Sequence, residues 1–101
     1  MEMIERIKNM ENIMDKSNKI LTEMKEILKE LEKNEVEFQT LKDYYYSEKW
    51  FEDENYTKEN ENTDNLKCGV LSQDSVYHLL SDYYETTIKM LEMATRMIKN
   101  F

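Results

Sequence analysis

The chain has 101 residues, one glycine, no proline and a formal net charge of −8, with 36% of its residues charged. Such a chain fits one domain of long helices and argues against a turn-rich β fold. The acidic excess disfavours direct contact with nucleic acid, whose phosphates repel it, and favours a basic partner.

From Met3 onward, apolar residues recur in steps of three and four. Ile7, Met14, Leu21 and Leu28 hold one heptad position. Met3, Met10, Met24, Leu31 and Phe38 hold the other, with Ser17 as a polar break. Ile13, Ile20, Ile27 and Leu41 widen this to a three-in-seven stripe, broader than a two-stranded seam. The stripe thins at Asn34 and Glu35 and resumes at Phe38, Leu41 and Tyr45. The spacing predicts one helix over about 2–46, bent near Asn34.

Ser47 and Glu48 then supply a cap and a first-turn acid for a short helix over about 48–54, anchored by Trp50 and Phe51. The stretch over about 55–71 reads as an acidic, solvated loop, rich in Asn and Glu and without apolar period. Leu66 and Val70 are expected to bring the chain back to the core. The clearest helix start follows. Ser72 is the N-cap, Asp74 meets the helix dipole, and Leu71 and Val76 stand at the positions of a hydrophobic staple. Gly69 lies where the chain turns in, and a positive φ is expected there. The last helix covers about 73–99. Val76, Tyr83, Met90 and Met97 share one heptad position, Leu80, Thr87, Ala94 and Phe101 the other, and Tyr77, Tyr84, Leu91 and Ile98 flank them.

The expected architecture is all-α: an antiparallel hairpin of two long heptad-bearing helices, with the short helix and the acidic loop between them. At ~1.5 Å per residue the first helix reaches ~65 Å and the last ~40 Å. The hairpin then leaves an apolar overhang at the N-terminus. Met3, Ile7, Met10 and Met14 are the candidate self-association residues, and a homodimer is expected.

Tyr44-Tyr45, Ser47, Trp50 and Asp53, together with Leu66-Lys67-Cys68-Gly69-Val70-Leu71-Ser72-Gln73-Asp74, form a pattern. It resembles the small bacterial helical proteins of domain-of-unknown-function family 4298. Their sequences look like a heptad-rich helix, a Tyr-Tyr-x-Ser-x-x-Trp segment, an acidic linker, then Leu-Lys-x-Gly-Val-Leu-Ser-x-Asp before the last helix. The resemblance covers nearly the whole chain and implies an all-helical domain with no assigned activity. This sequence departs from the pattern in the linker, where relatives tend to carry a glycine and a proline that the stretch from Tyr56 to Thr63 lacks.

Chemistry-bearing residues are sparse. The lone Cys68 has no disulfide partner, and with His78 it supplies too few ligands for a metal site. His78 has Asp74 and Asp82 four residues away on either side, a setting for a proton shuttle or a pH-sensitive contact. An exposed helical histidine with acidic neighbours is the plainer reading. No nucleophile–base–orienter set or phosphate-cradling glycine loop is visible, so no catalytic residue, metal or cofactor is expected. The start, Met1-Glu2-Met3-Ile4-Glu5-Arg6, lacks the plan of a signal peptide, and no apolar run nears the ~20 residues of a membrane span. A cytoplasmic location without membrane contact is the expectation. Tyr44, Tyr46, Trp50, Asp53, Tyr77, His78 and Tyr84 form the candidate interaction surface, since Tyr and Trp are frequent interface anchors. The expected function is a non-enzymatic protein–protein interaction module. The alternative is an acidic nucleic-acid mimic, of phage or mobile-element type, that blocks a basic nucleic-acid-binding protein. A third reading is a small enzyme using His78.

Overall fold

A computed structural model describes residues 1–60 and 65–101. Among the described residues three α-helices follow one another: α1 (Glu2–Tyr45), α2 (Glu48–Glu59) and α3 (Gln73–Lys99), with a 3₁₀ turn at Gly69–Leu71 before α3. No strand occurs among the described residues, and the fold is all-α. No helix among them is long and apolar enough to cross a membrane.

Helix α1 runs without interruption through Asn34 and Glu35. Neither residue removes a backbone N–H or blocks the preceding turn, so a thinner apolar stripe alone does not end a helix. Glu2 and Glu5 in the first turn and Lys42 in the last suit the helix dipole. At the end of α1, Ser47 donates its hydroxyl to the Tyr44 carbonyl at 2.6 Å and its N–H to the same oxygen at 3.0 Å. Ser47 does occupy the N-cap position of α2 in extended backbone, yet it makes no side-chain cap bond there. The expected cap is used backwards, on one of the carbonyls that α1 leaves unpaired.

Helix α2 continues to Glu59, past the expected end at 54 and into the segment expected to be a loop. No glycine or proline interrupts it, and its own side chains close it. Lys58 pairs with Glu54 at 3.6 Å, the Thr57 hydroxyl donates to the Glu54 carbonyl, and the Asn60 amide donates to the Tyr56 carbonyl at the C-cap. The loop acids Glu61 and Asp64 lie outside the described residues.

The approach to α3 differs from expectation at Gly69, Leu66 and Val70. Gly69 has no positive φ, and a Cβ on it would meet nothing within 4 Å. It opens a 3₁₀ turn closed by Leu71 N–H to the Cys68 carbonyl at 2.9 Å, a conformation any residue adopts. Leu66 and Val70, expected in the core, are exposed, while Cys68 and Leu71 are half-buried. Ser72 caps α3 as the sequence predicts, its hydroxyl accepting from the Ser75 N–H at 3.3 Å.

The chain divides into two units, Met1–Gln39 and Thr40–Phe101. In the first, the stripe is exposed, from 58% at Met3 to 44% at Leu28, and only Leu31 and Phe38 are half-buried. In the second, Trp50 at 3% and Val76 at 4% form the buried core, with Leu41, Tyr44, Tyr45, Leu71, Leu80 and Tyr83 half-buried around them. The 3₁₀ turn packs against both α2 and α3. From Tyr84 onward, α3 is exposed.

Candidate functional site

The second unit gathers most of the chain's aromatic residues at one junction, held by hydrogen bonds that reach across the sequence. Trp50 leaves the first turn of α2 and donates its indole N–H to the Val70 carbonyl at 2.9 Å. Tyr45, at the end of α1, donates its hydroxyl to the Gln73 carbonyl at 3.2 Å, which sets the start of α3 beside the end of α1. Each bond joins a ring with a polar tip to a backbone oxygen in or beside the 3₁₀ turn, the amphipathic use to which Trp and Tyr are suited.

The rings continue as a row. Tyr46 meets Tyr45 edge-on with centroids 5.0 Å apart, Tyr45 meets Trp50 at 5.7 Å, and Trp50 meets Phe51 at 5.1 Å. The inner members are covered: Tyr45 is half-buried and Trp50 buried. The outer members, Tyr46 and Phe51, are exposed. Neighbours on a helix point about 100° apart, so only one of Trp50 and Phe51 can face inward. Trp50, read from sequence as part of an interaction surface, lies inside as its anchor. Phe51, read as a second anchor, lies outside.

Tyr44 donates its hydroxyl to Asp53 Oδ2 at 2.6 Å, a short bond of the charge-assisted kind that ties α2 to α1. That hydrogen bond, with partial burial and the Asp53 charge adding to it, pushes the Tyr44 phenol up to about 12. The pair lines a cleft of about 340 Å³ together with Tyr56, Cys68, Val70 and Leu71. Cys68 Sγ lies 3.4 Å from the Leu66 carbonyl.

On α3, Tyr77 and Tyr84 are exposed, as is His78, whose ring meets that of Tyr77 at 6.0 Å. Of the candidate surface residues, Tyr44 and Asp53 are thus joined to each other, Tyr77 and His78 are adjacent, and Trp50 supports the junction from within. Among the described residues, no group of three or more His, Cys, Asp or Glu side chains is placed to hold a metal ion. Sequence reasoning left Tyr45 out of the site, although it falls seven residues after Phe38 on the stripe of α1. That spacing was the available signal that its ring faces inward while its neighbour Tyr46 does not.

The family described as a domain of unknown function (DUF4298) matches residues 7–93, which span both the heptad-rich helix and the aromatic junction. The chain belongs to this family. The matched stretch of this chain includes Tyr44, Tyr45 and Trp50, which make the junction, and the cap at Ser72. No curated protein and no solved structure matches the chain.

Proposed function

We propose that the chain is a non-enzymatic helical interaction module, which pairs α1 with α3 as an antiparallel hairpin and associates with a second copy through coiled-coil contacts. The observation that carries this reading is the apolar stripe of α1, exposed from Met3 to Leu28 without a buried residue. An exposed patch on that scale marks an interaction surface, because water is a poor solvent for it. The hairpin is supported by the bond from Tyr45 to Gln73, which starts α3 where α1 ends. Met3, Ile7, Met10 and Met14 are the residues through which association begins. The exposed rings of Tyr46, Tyr77 and Tyr84, with His78, provide a second surface for a partner protein of different sequence.

Light scattering of the full chain tests this, with a dimer expected at micromolar concentration. Deleting residues 1–14 shifts the population toward monomer and leaves most of the helical circular dichroism intact. A full-length chain that stays monomeric at high concentration rejects self-association.

A further inference from the structure

We infer that the N-terminal turns of α1 in one copy dock on an outer row of α3 in the other, formed by Tyr84, Ile88, Leu91 and Ile98. This rests on the reading that the chain is a self-associating hairpin, and it names the surface that receives the second copy.

The row is a second seam on α3. Val76, Leu80, Tyr83, Met90 and Met97 belong to the heptad that faces α1 in the hairpin. One residue further on, Tyr77, Tyr84, Leu91 and Ile98 recur every seven residues, with Ile88 between Tyr84 and Leu91 at heptad spacing. The flanking positions of a two-stranded pair are commonly charged, and an apolar row there calls for a further neighbour. Tyr84, Leu91 and Ile98 are 70%, 65% and 73% exposed, more than Met90 or Met97 on the first seam.

Closing the hairpin does not cover this row. In such a hairpin the bond from Tyr45 to Gln73 sets the register, with Phe38 opposite Leu80, Leu28 opposite Met90 and Leu21 opposite Met97. The stretch from Leu21 to Leu28 is thereby given to α3 of its own chain. On one flank of this register the side chains match, Leu41 beside Leu79, Asn34 beside Thr86 and Ile27 beside Met93. On the other flank Glu32 comes beside Tyr84, Lys25 beside Leu91 and Asn18 beside Ile98. Those polar side chains keep their water and give the row no apolar cover.

The same register says what covers it. It runs out with Ser17 opposite Phe101, which leaves Met3, Ile7, Met10, Ile13 and Met14 without a partner in their own chain. These turns rise ~17 Å from Met3 to Met14, and the row rises ~21 Å from Tyr84 to Ile98. The charges are complementary. Glu2, Glu5, Glu11 and Asp15 outnumber Arg6, Lys8 and Lys16 on the docking turns, while Lys89, Arg96 and Lys99 outnumber Glu85 and Glu92 on this end of α3. The two segments together expose on the order of 800 Å² of apolar surface in each copy. A stable interface takes about 800 Å² from each partner. A two-fold axis repeats the contact, so each copy both gives its N-terminal turns and receives those of the other.

Photo-crosslinking tests the docking in full-length chains carrying Cys68→Ser and Met10→Cys, with benzophenone maleimide on the new thiol. Half of the chains are isotope-labelled, so mass spectrometry separates adducts between copies from those within one. Adducts between copies are expected on residues 84–98, and adducts that avoid those residues overturn the docking site. Sedimentation of full-length Leu91→Glu and Ile98→Glu chains gives the second measurement. Each is expected to weaken the dimer roughly tenfold or more, because docking then buries an unpaired carboxylate. Their helical circular dichroism should match that of the unsubstituted chain, and Ile98→Glu, near the end of α3, carries the test should Leu91→Glu loosen the helix. If both dimerise as the unsubstituted chain does, the row is not the site, and self-association stands. An unsubstituted chain that sediments as a monomer overturns both this proposal and the reading beneath it.

Discussion

Trp50 and Ile13 are both large apolar side chains on helices, yet Trp50 is 3% exposed and Ile13 is 56% exposed. The residues around Trp50 belong to three short neighbouring segments: the end of α1, the first turn of α2, and the 3₁₀ turn that leads into α3. These segments meet in space, so Trp50 finds the Val70 carbonyl and the edge of Tyr45 within its own unit. Ile13 sits in a unit made of one helix, where every near neighbour in sequence lies on the same rod. Amphipathic periodicity creates an apolar face in both places, but only a chain reversal supplies something to cover it. The junction is therefore stabilised within the chain, while the stripe is left exposed.

Breaking the junction should have the largest effect. Trp50→Ala is expected to cost about 3–5 kcal/mol, the range for removing a buried large aromatic ring, and it also leaves the Val70 carbonyl without its donor. Ile13→Ala, measured by the same thermal unfolding in chains dilute enough to be monomeric, should stay within about 0.5 kcal/mol. Equal losses in the two variants would erase the distinction between the regions.

A smaller effect is expected at the entrance to α3. Ser72→Ala should cost roughly 1 kcal/mol through the lost bond to the Ser75 N–H, and Ser72→Asp should be nearly neutral because aspartate caps as well. Chemical denaturation of the three chains separates these values. If Asp loses as much as Ala, the hydroxyl has a role beyond capping.

The smallest effect concerns the Tyr44–Asp53 bond and is read from its loss in alkali. Folding raises the Tyr44 phenol from 10.0 to about 12, so the folded chain holds the proton more tightly than the unfolded one. The associated stability is fully present below pH 10 and is lost as the pH rises through 12. Tyr44→Phe should flatten the dependence of stability on pH across that window and change little at neutrality, where the bond is near the surface. An unchanged alkaline slope in Tyr44→Phe would assign the loss to another group.

Much of this was legible in the residues, for reasons local to each. Absent proline, a single glycine and a sustained heptad dictate long helices. The dipole charges at Glu2, Glu5, Asp74 and Lys99, and the cap at Ser72, act within one turn of the backbone. The start of α3 at Gln73 was accordingly readable from the chain. The end of α2 was not, because the Lys58–Glu54 pair and the bonds from Thr57 and Asn60 act together to extend a weakly patterned helix to Glu59.

At the aromatic junction the sequence listed the rings but could not sort them. Trp50 and Phe51 are adjacent and similar in hydrophobicity, and which one turns inward depends on where the Val70 carbonyl lies, a fact of the tertiary structure. The same holds for Ser47, whose hydroxyl chooses between a cap on α2 and a carbonyl of α1. Gly69 shows the converse, since its freedom at positive φ is not used once the chain enters as a 3₁₀ turn. The sequence by itself determined the helices and their apolar faces, because hydrogen bonding along a helix and side-chain periodicity are local. Only the tertiary structure decided which faces are covered, because burial requires distant segments to meet.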